Sequence, residues 1–152
     1  MLGRDVFSLI HFPMLCGVIV YAVAIEEVAI EPTDLTPTVL KMQQAGADAV
    51  IGSHPHILQG VEQIDGRWVV HSTGNFAFPS ARNDSSYSAI FLMTVTMDDV
   101  TLEAQPIRIV RGRPVPADSS RAGILDDLTD LSFGYDFTDA GTAIASQETG
   151  RC

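Results

Sequence analysis

Ala47-Asp48-Ala49-Val50-Ile51-Gly52-Ser53-His54-Pro55-His56 decides how this 152-residue chain reads. Residues 47–52 are short and apolar, the pattern of a strand buried on both faces, and two imidazoles follow immediately. Just upstream, Thr36-Pro37 reads as an N-cap with proline at the first helical position. Val39, Leu40, Met42 and Gln43 carry the helix, and Gly46 is placed to close it in a left-handed cap. Further upstream, Gly17-Val18-Ile19-Val20-Tyr21-Ala22-Val23 reads as another buried strand, joined to the helix by an acidic loop at residues 26–34. Strand, helix and strand predict a βαβ unit with parallel strands and a right-handed crossover.

Downstream the pattern changes. Residues 61–64 and 67–72 flank Asp65-Gly66, a two-residue hairpin signal. Residues 88–97 form a further β run, turned by Asp98-Asp99 into residues 100–110, where partial alternation suits a half-solvated antiparallel sheet. Pro114 and Pro116 mark a linker. Ser119 or Ser120 is placed to cap a last helix with Ile124, Leu125, Leu128 and Leu131 at helical spacing. Residues 133–152 show no sustained period and read as a flexible tail. The fold class expected is α/β, in the α+β sense: one βαβ unit followed by antiparallel strands and a terminal helix. No internal repeat is found.

Composition bounds the function. At this length the chain is one ordinary domain, able to bury roughly 70% of its unfolded surface. Nineteen acidic residues against nine Lys plus Arg give a net charge of −10, so a phosphate-backbone binder is not expected and nucleic acid is excluded as a partner. Lys41 is the only lysine, which argues against a polybasic membrane patch. Cys16 and Cys152 form no metal-like pair. Residues 6–25 are 20 positions without a charge. By length they could span a bilayer or form a signal peptide's apolar core. Against this, His11, Pro13, Gly17 and the β-branched second half favour a buried strand for the later part, so residues 1–16 are left as an apolar segment of open role.

The His54-Pro55-His56 loop is the chemical candidate. Ligands gather at the carboxyl ends of strands in α/β sheets. A proline between two imidazoles limits the freedom lost when both rings close on a cation, and imidazole suits Mn, Fe or Zn. Spacing alone divides evenly between this and a turn that only caps a strand. Gly74-Asn75 could bring an amide to the same loop, with Ser53 as a further neighbour. His71 reads as packing or pocket wall, Trp68 as the hairpin's hydrophobic anchor, and Asp126, Asp127 and Asp130 as a solvated helix face.

Residues 45–62, together with Asp65-Gly66 and Ser72-Thr73-Gly74-Asn75-Phe76-Ala77-Phe78, strongly resemble the capsule-synthesis CapA family, the poly-γ-glutamate biosynthesis proteins. Thr73 stands where that family has Leu. The resemblance covers residues 17–132, a partial domain. It implies the C-terminal part of a four-layer, calcineurin-like metallophosphoesterase sandwich. There His54 and His56 would ligate divalent ions (Mn, Fe or Zn), with Asn75 and Ser53 touching substrate or supporting the ligands. It further implies hydrolase ancestry, a cell-envelope or extracytoplasmic setting, and an anionic envelope polymer or its synthesis machinery as partner.

The chain departs from the family's pattern in two places. Val23-Ala24-Ile25 occupies the position of an imidazole-bearing His-Trp-Gly segment, and the family's early Asp and Asn-Leu-Glu segments have no counterpart. The expectation is therefore a truncated protein, inactive by itself, with uncovered edges that lead to self-association and poor solubility. The alternative is a non-catalytic fragment serving binding or assembly. Contact with a polyanion would draw on Arg82, Arg108, Arg111 and Arg113.

Overall fold

Strand β1 (Val20–Ala24) runs parallel to β2 (Ala49–Ser53), and helix α1 (Thr36–Gln44) lies between them in sequence, so the βαβ unit forms. The computed structural model describes residues 20–24, 36–53, 55–78 and 84–146. The expectations for residues 1–19, the loop at 25–35, His54, Arg82 and residues 147–152 lie outside the described residues. Helix α1 ends as its glycine requires. Gly46 takes φ +101°, its N–H donates to the Gln43 carbonyl at 2.9 Å, and the Ala47 N–H reaches back to the Met42 carbonyl at 3.0 Å. These paired bonds satisfy carbonyls that the last turn would otherwise leave open.

β3 (Val61–Ile64) and β4 (Arg67–Val70) form the Asp65-Gly66 hairpin. Both turn residues have positive φ, 50° and 74°, the type I′ geometry that matches strand twist. β4 lies parallel to β2, completing a sheet in the order β1-β2-β4-β3. Side-chain alternation divides this sheet between two layers. Val50 and Val69 pack with Val39 and Ala47 on the α1 side. Ala49, Val61, Trp68 and Val70 turn the other way, to meet Leu102, Phe91 and Met93 of a second sheet.

That second sheet comprises β5 (Tyr87–Val95), β6 (Val100–Val110) and β7 (Arg113–Pro116), in that order. Helix α2 (Arg121–Leu131) sets Leu125 and Leu128 against Ala89 and Ala104. These residues share a face with Phe91 and Leu102, so α2 and the first sheet lie against the same side of the second sheet. Ser120 is the N-cap of α2 but makes no side-chain capping bond; a 3-10 turn, Asp118–Ser120, leads in instead.

Two expectations are corrected. Residues 113–116 are not a linker but the edge strand β7, paired with β6. Proline donates no ladder hydrogen bond, and an edge strand has a side where none is needed. Part of the expected flexible tail is a hairpin, β8 (Tyr135–Phe137) with β9 (Ala143–Ala145). Tertiary contact stabilises these short strands: the Tyr135 ring lies 4.6 Å from Trp68, and the Arg121 guanidinium donates to the carbonyls of Asp139 and Ala140. Among the described residues no helix is long and apolar enough to cross a membrane.

Candidate functional site

The parallel strands β1, β2 and β4 deliver their carboxyl ends side by side. Val23 stands opposite Gly52, Ala24 opposite Ser53, and Ile51 opposite Val70. From there two loops run on together, residues 55–60 after β2 and residues 71–75 after β4. Backbone bonds zip them: Thr73 N–H to the Gly52 carbonyl, Gln59 N–H to Ser72, and His71 N–H to Gly60, at 3.1–3.2 Å. The Ser88 hydroxyl, buried in β5, donates to the Thr73 carbonyl. The sequence reading did not single out Ser72 or Ser88, because nothing local marks a serine that becomes buried only through another strand.

Asn75 is the centre of this arrangement. It is buried, and its Nδ2 donates to the carbonyls of His56 (3.1 Å) and Ser85 (2.9 Å). With the amide nitrogen committed to two acceptors, Oδ1 must face the imidazole, and it lies 2.7 Å from His56 Nδ1. An amide oxygen only accepts, so Nδ1 carries the proton and the neutral ring has its lone pair on Nε2. His56 sits at φ 59°, a left-handed conformation uncommon outside glycine, and Asn75 holds both its backbone and its ring. Phe78 packs on the ring at 4.9 Å. The structure thus brings Asn75 to His56 and leaves Ser53 exposed at the tip of β2.

His71 Nε2 donates to Glu62 Oε1 at 2.8 Å. The sequence reading missed Glu62, although the two-residue turn already places it diagonally across from His71 on one face. Trp68 is buried and its indole N–H donates to the Val100 carbonyl at 2.6 Å. Asp126, Asp127 and Asp130 lie exposed on α2. Arg108, Arg111 and Arg113 share the β6–β7 hairpin, with Arg108 over the Tyr87 ring at 5.8 Å. Among the described residues no three His, Cys, Asp or Glu side chains converge on a point that could hold a metal ion. At the loop the described residues supply one oriented imidazole, His56, which fits a single ligand position and does not complete a centre.

Residues 17–80 match the family described as bacterial capsule synthesis protein PGA_cap. The chain is 30% identical over 103 residues to the PGA biosynthesis protein CapA of Bacillus subtilis (strain 168), covering 64% of this chain and 27% of that protein. It is 31% identical over 80 residues to the capsule biosynthesis protein CapA of Bacillus anthracis, covering 52% of this chain and 20% of that protein. The matched region thus spans about a quarter or less of the length of these curated relatives.

Proposed function

Starting from this partial CapA-family match, we propose that the chain is a CapA-like protein of capsule or poly-γ-glutamate-type polymer biosynthesis at the cell envelope. Its ancestry on this reading is a metallophosphoesterase, and its Ser53-His54-Pro55-His56 loop is the element that meets a divalent cation. The observation that carries the reading is the Asn75 clamp on His56. A metal-ligating imidazole donates its other ring N–H to an acceptor, which holds the tautomer and the ring plane, and Asn75 Oδ1 is such an acceptor. His54 and His56 would hold Mn, Fe or Zn, with Asn75 and Ser53 in support. A bound ion would polarise a substrate oxygen and make its bound water more acidic.

The same residues argue that the chain by itself turns nothing over. The resemblance puts an imidazole-bearing segment where this chain has Val23-Ala24-Ile25, and Val23 and Ala24 run beside Gly52 and Ser53 at the start of the loop. Valine and alanine offer no ligand atom. A binding or assembly role is the second reading, favoured by the three arginines that share the β6–β7 hairpin in a chain of net charge −10. Their partner would be an anionic envelope polymer or its synthesis machinery.

Metal analysis of the purified chain after exposure to Mn, Fe or Zn tests the cation reading. Uptake should be lost in His54→Ala and His56→Ala and weakened about 10–100-fold in Asn75→Ala. Uptake indifferent to all three substitutions would remove the loop from consideration. Metal-dependent turnover of a generic phosphodiester would overturn the statement that the chain alone is inactive.

A further inference from the structure

The two edges of the second sheet are treated oppositely by the sequence. β7, at one edge, has Pro114 and Pro116 as well as Arg113. Prolines and charges on an edge strand block the addition of another strand. β5, at the other edge, reads Tyr-Ser-Ala-Ile-Phe-Leu-Met-Thr-Val, nine residues without a proline, a glycine or a charge. Among the described residues it is hydrogen-bonded to β6 alone. Its first residues are flanked by the Thr73–Asn75 loop, through Ser85 and Ser88. From Ile90 onward no described strand lies along its outer edge, and the side chains of Ile90 and Leu92 are also 41% and 47% exposed. A long, apolar and unguarded edge is a template for strand addition.

We propose that β5 pairs with β5 of a second copy of this chain, antiparallel and centred on Leu92, joining two three-stranded sheets into one of six strands. The sequence is self-complementary in that register. Leu92 faces its own copy, Phe91 faces Met93, Ile90 faces Thr94 and Ala89 faces Val95, so no like charges are set opposite each other along the pairing.

Electrostatics select the direction. Residues 87–97 are uncharged and Asp98-Asp99 follow. A parallel arrangement would set the two acidic turns together. The antiparallel one places Asp98 opposite Ser86 and separates the turns by roughly 40 Å at about 3.4 Å per residue, well beyond the screening length of about 8 Å. The pairing is isologous, so it closes at two copies, and the proline-bearing β7 edges at the outside of the joined sheet prevent further growth.

Sedimentation of the full 152-residue chain should give twice the chain mass at tens of micromolar, falling to one chain mass for Leu92→Lys and Ile90→Glu. In a Cys16→Ser, Cys152→Ser background, Leu92→Cys should form a disulfide-linked dimer on oxidation. Thr101→Cys, exposed on the central strand β6, should not. A monomer for the unmodified chain, a dimer that survives Leu92→Lys, or assembly beyond two copies overturns the proposal. Should Leu92→Lys fail to fold, the contrast between the two cysteine variants decides. None of these outcomes depends on metal uptake by the histidine loop.

Discussion

In the first sheet Val61, Val69 and Val70 are at most 1% exposed, whereas in β5 of the second sheet Ile90, Leu92 and Val95 are 41–51% exposed. The residue types are alike, so hydrophobicity did not make the difference. The first sheet has a layer on each face, α1 on one side and the second sheet on the other. The second sheet is covered on the face that meets both Trp68 and α2, and its opposite face carries Ile90 and Leu92. Residues of like character are thus covered or left open according to what packs on each face, and the histidine loop is carried by the sheet with a layer on both sides.

Substitutions sharpen that contrast, beginning where the loss should be greatest. Trp68→Ala removes a fully packed indole and its hydrogen bond to Val100, and should cost about 3–5 kcal/mol in urea denaturation. A cost near zero would mean the interface between the sheets is not the core. Gly52→Ala comes next. A β-carbon there would run into the carbonyl of His71, just past the end of β4, and that backbone is held by its own bond to Gly60. The loss should lie at the upper end of about 1–3 kcal/mol.

Asn75→Ala leaves the carbonyls of His56 and Ser85 and the His56 ring without their amide partner. It should cost about 1–3 kcal/mol by chemical denaturation, and the imidazole nitrogen shifts of His56 should lose their single-tautomer pattern. Alkaline pH acts more gently, at the tyrosine ring that packs on Trp68. Burial first, and then the charge of Asp99, hold the Tyr135 hydroxyl above its ordinary value of 10.0. The unfolded chain therefore releases that proton at lower pH than the folded one. The stabilisation is complete below the ordinary value and is lost as pH rises through the folded value. The melting temperature should fall across that range, and Tyr135→Phe should reduce the fall. Leu92→Ala, on the open face, should change monomer stability by no more than about 0.5 kcal/mol.

Several elements could be read from local sequence because their causes are local. Asp65-Gly66 needs only its own two torsions to make the hairpin, and the Gly46 cap closes with bonds inside seven residues of chain. The parallel strand before the histidines declares itself by an apolar run that no half-solvated strand would carry. The β6–β7 and β8–β9 pairings were misread for a different reason. A proline is a breaker in a central strand and tolerable at an edge, and position in a sheet is not a local property. Three-residue strands such as Tyr135–Phe137 have no period to detect; Trp68, far away in sequence, supplies their reason to be ordered.

The candidate site divides along the same line. His54, Pro55 and His56 stand out in the chain itself, since two imidazoles at a strand end are chemically conspicuous wherever they occur. The tautomer of His56 was not legible. It follows from an asparagine 19 residues away whose own amide is oriented by two carbonyls. By itself, then, the amino-acid order determined the βαβ unit, the tight turn and the presence of the imidazoles, because each depends on torsions and apolar spacing within a short span. Only the tertiary structure decided which strands are edges, which apolar residues are covered and which nitrogen of His56 holds the proton. Those are set by what another segment places alongside, and hydrogen bonds and burial across a fold carry no mark in the residues between.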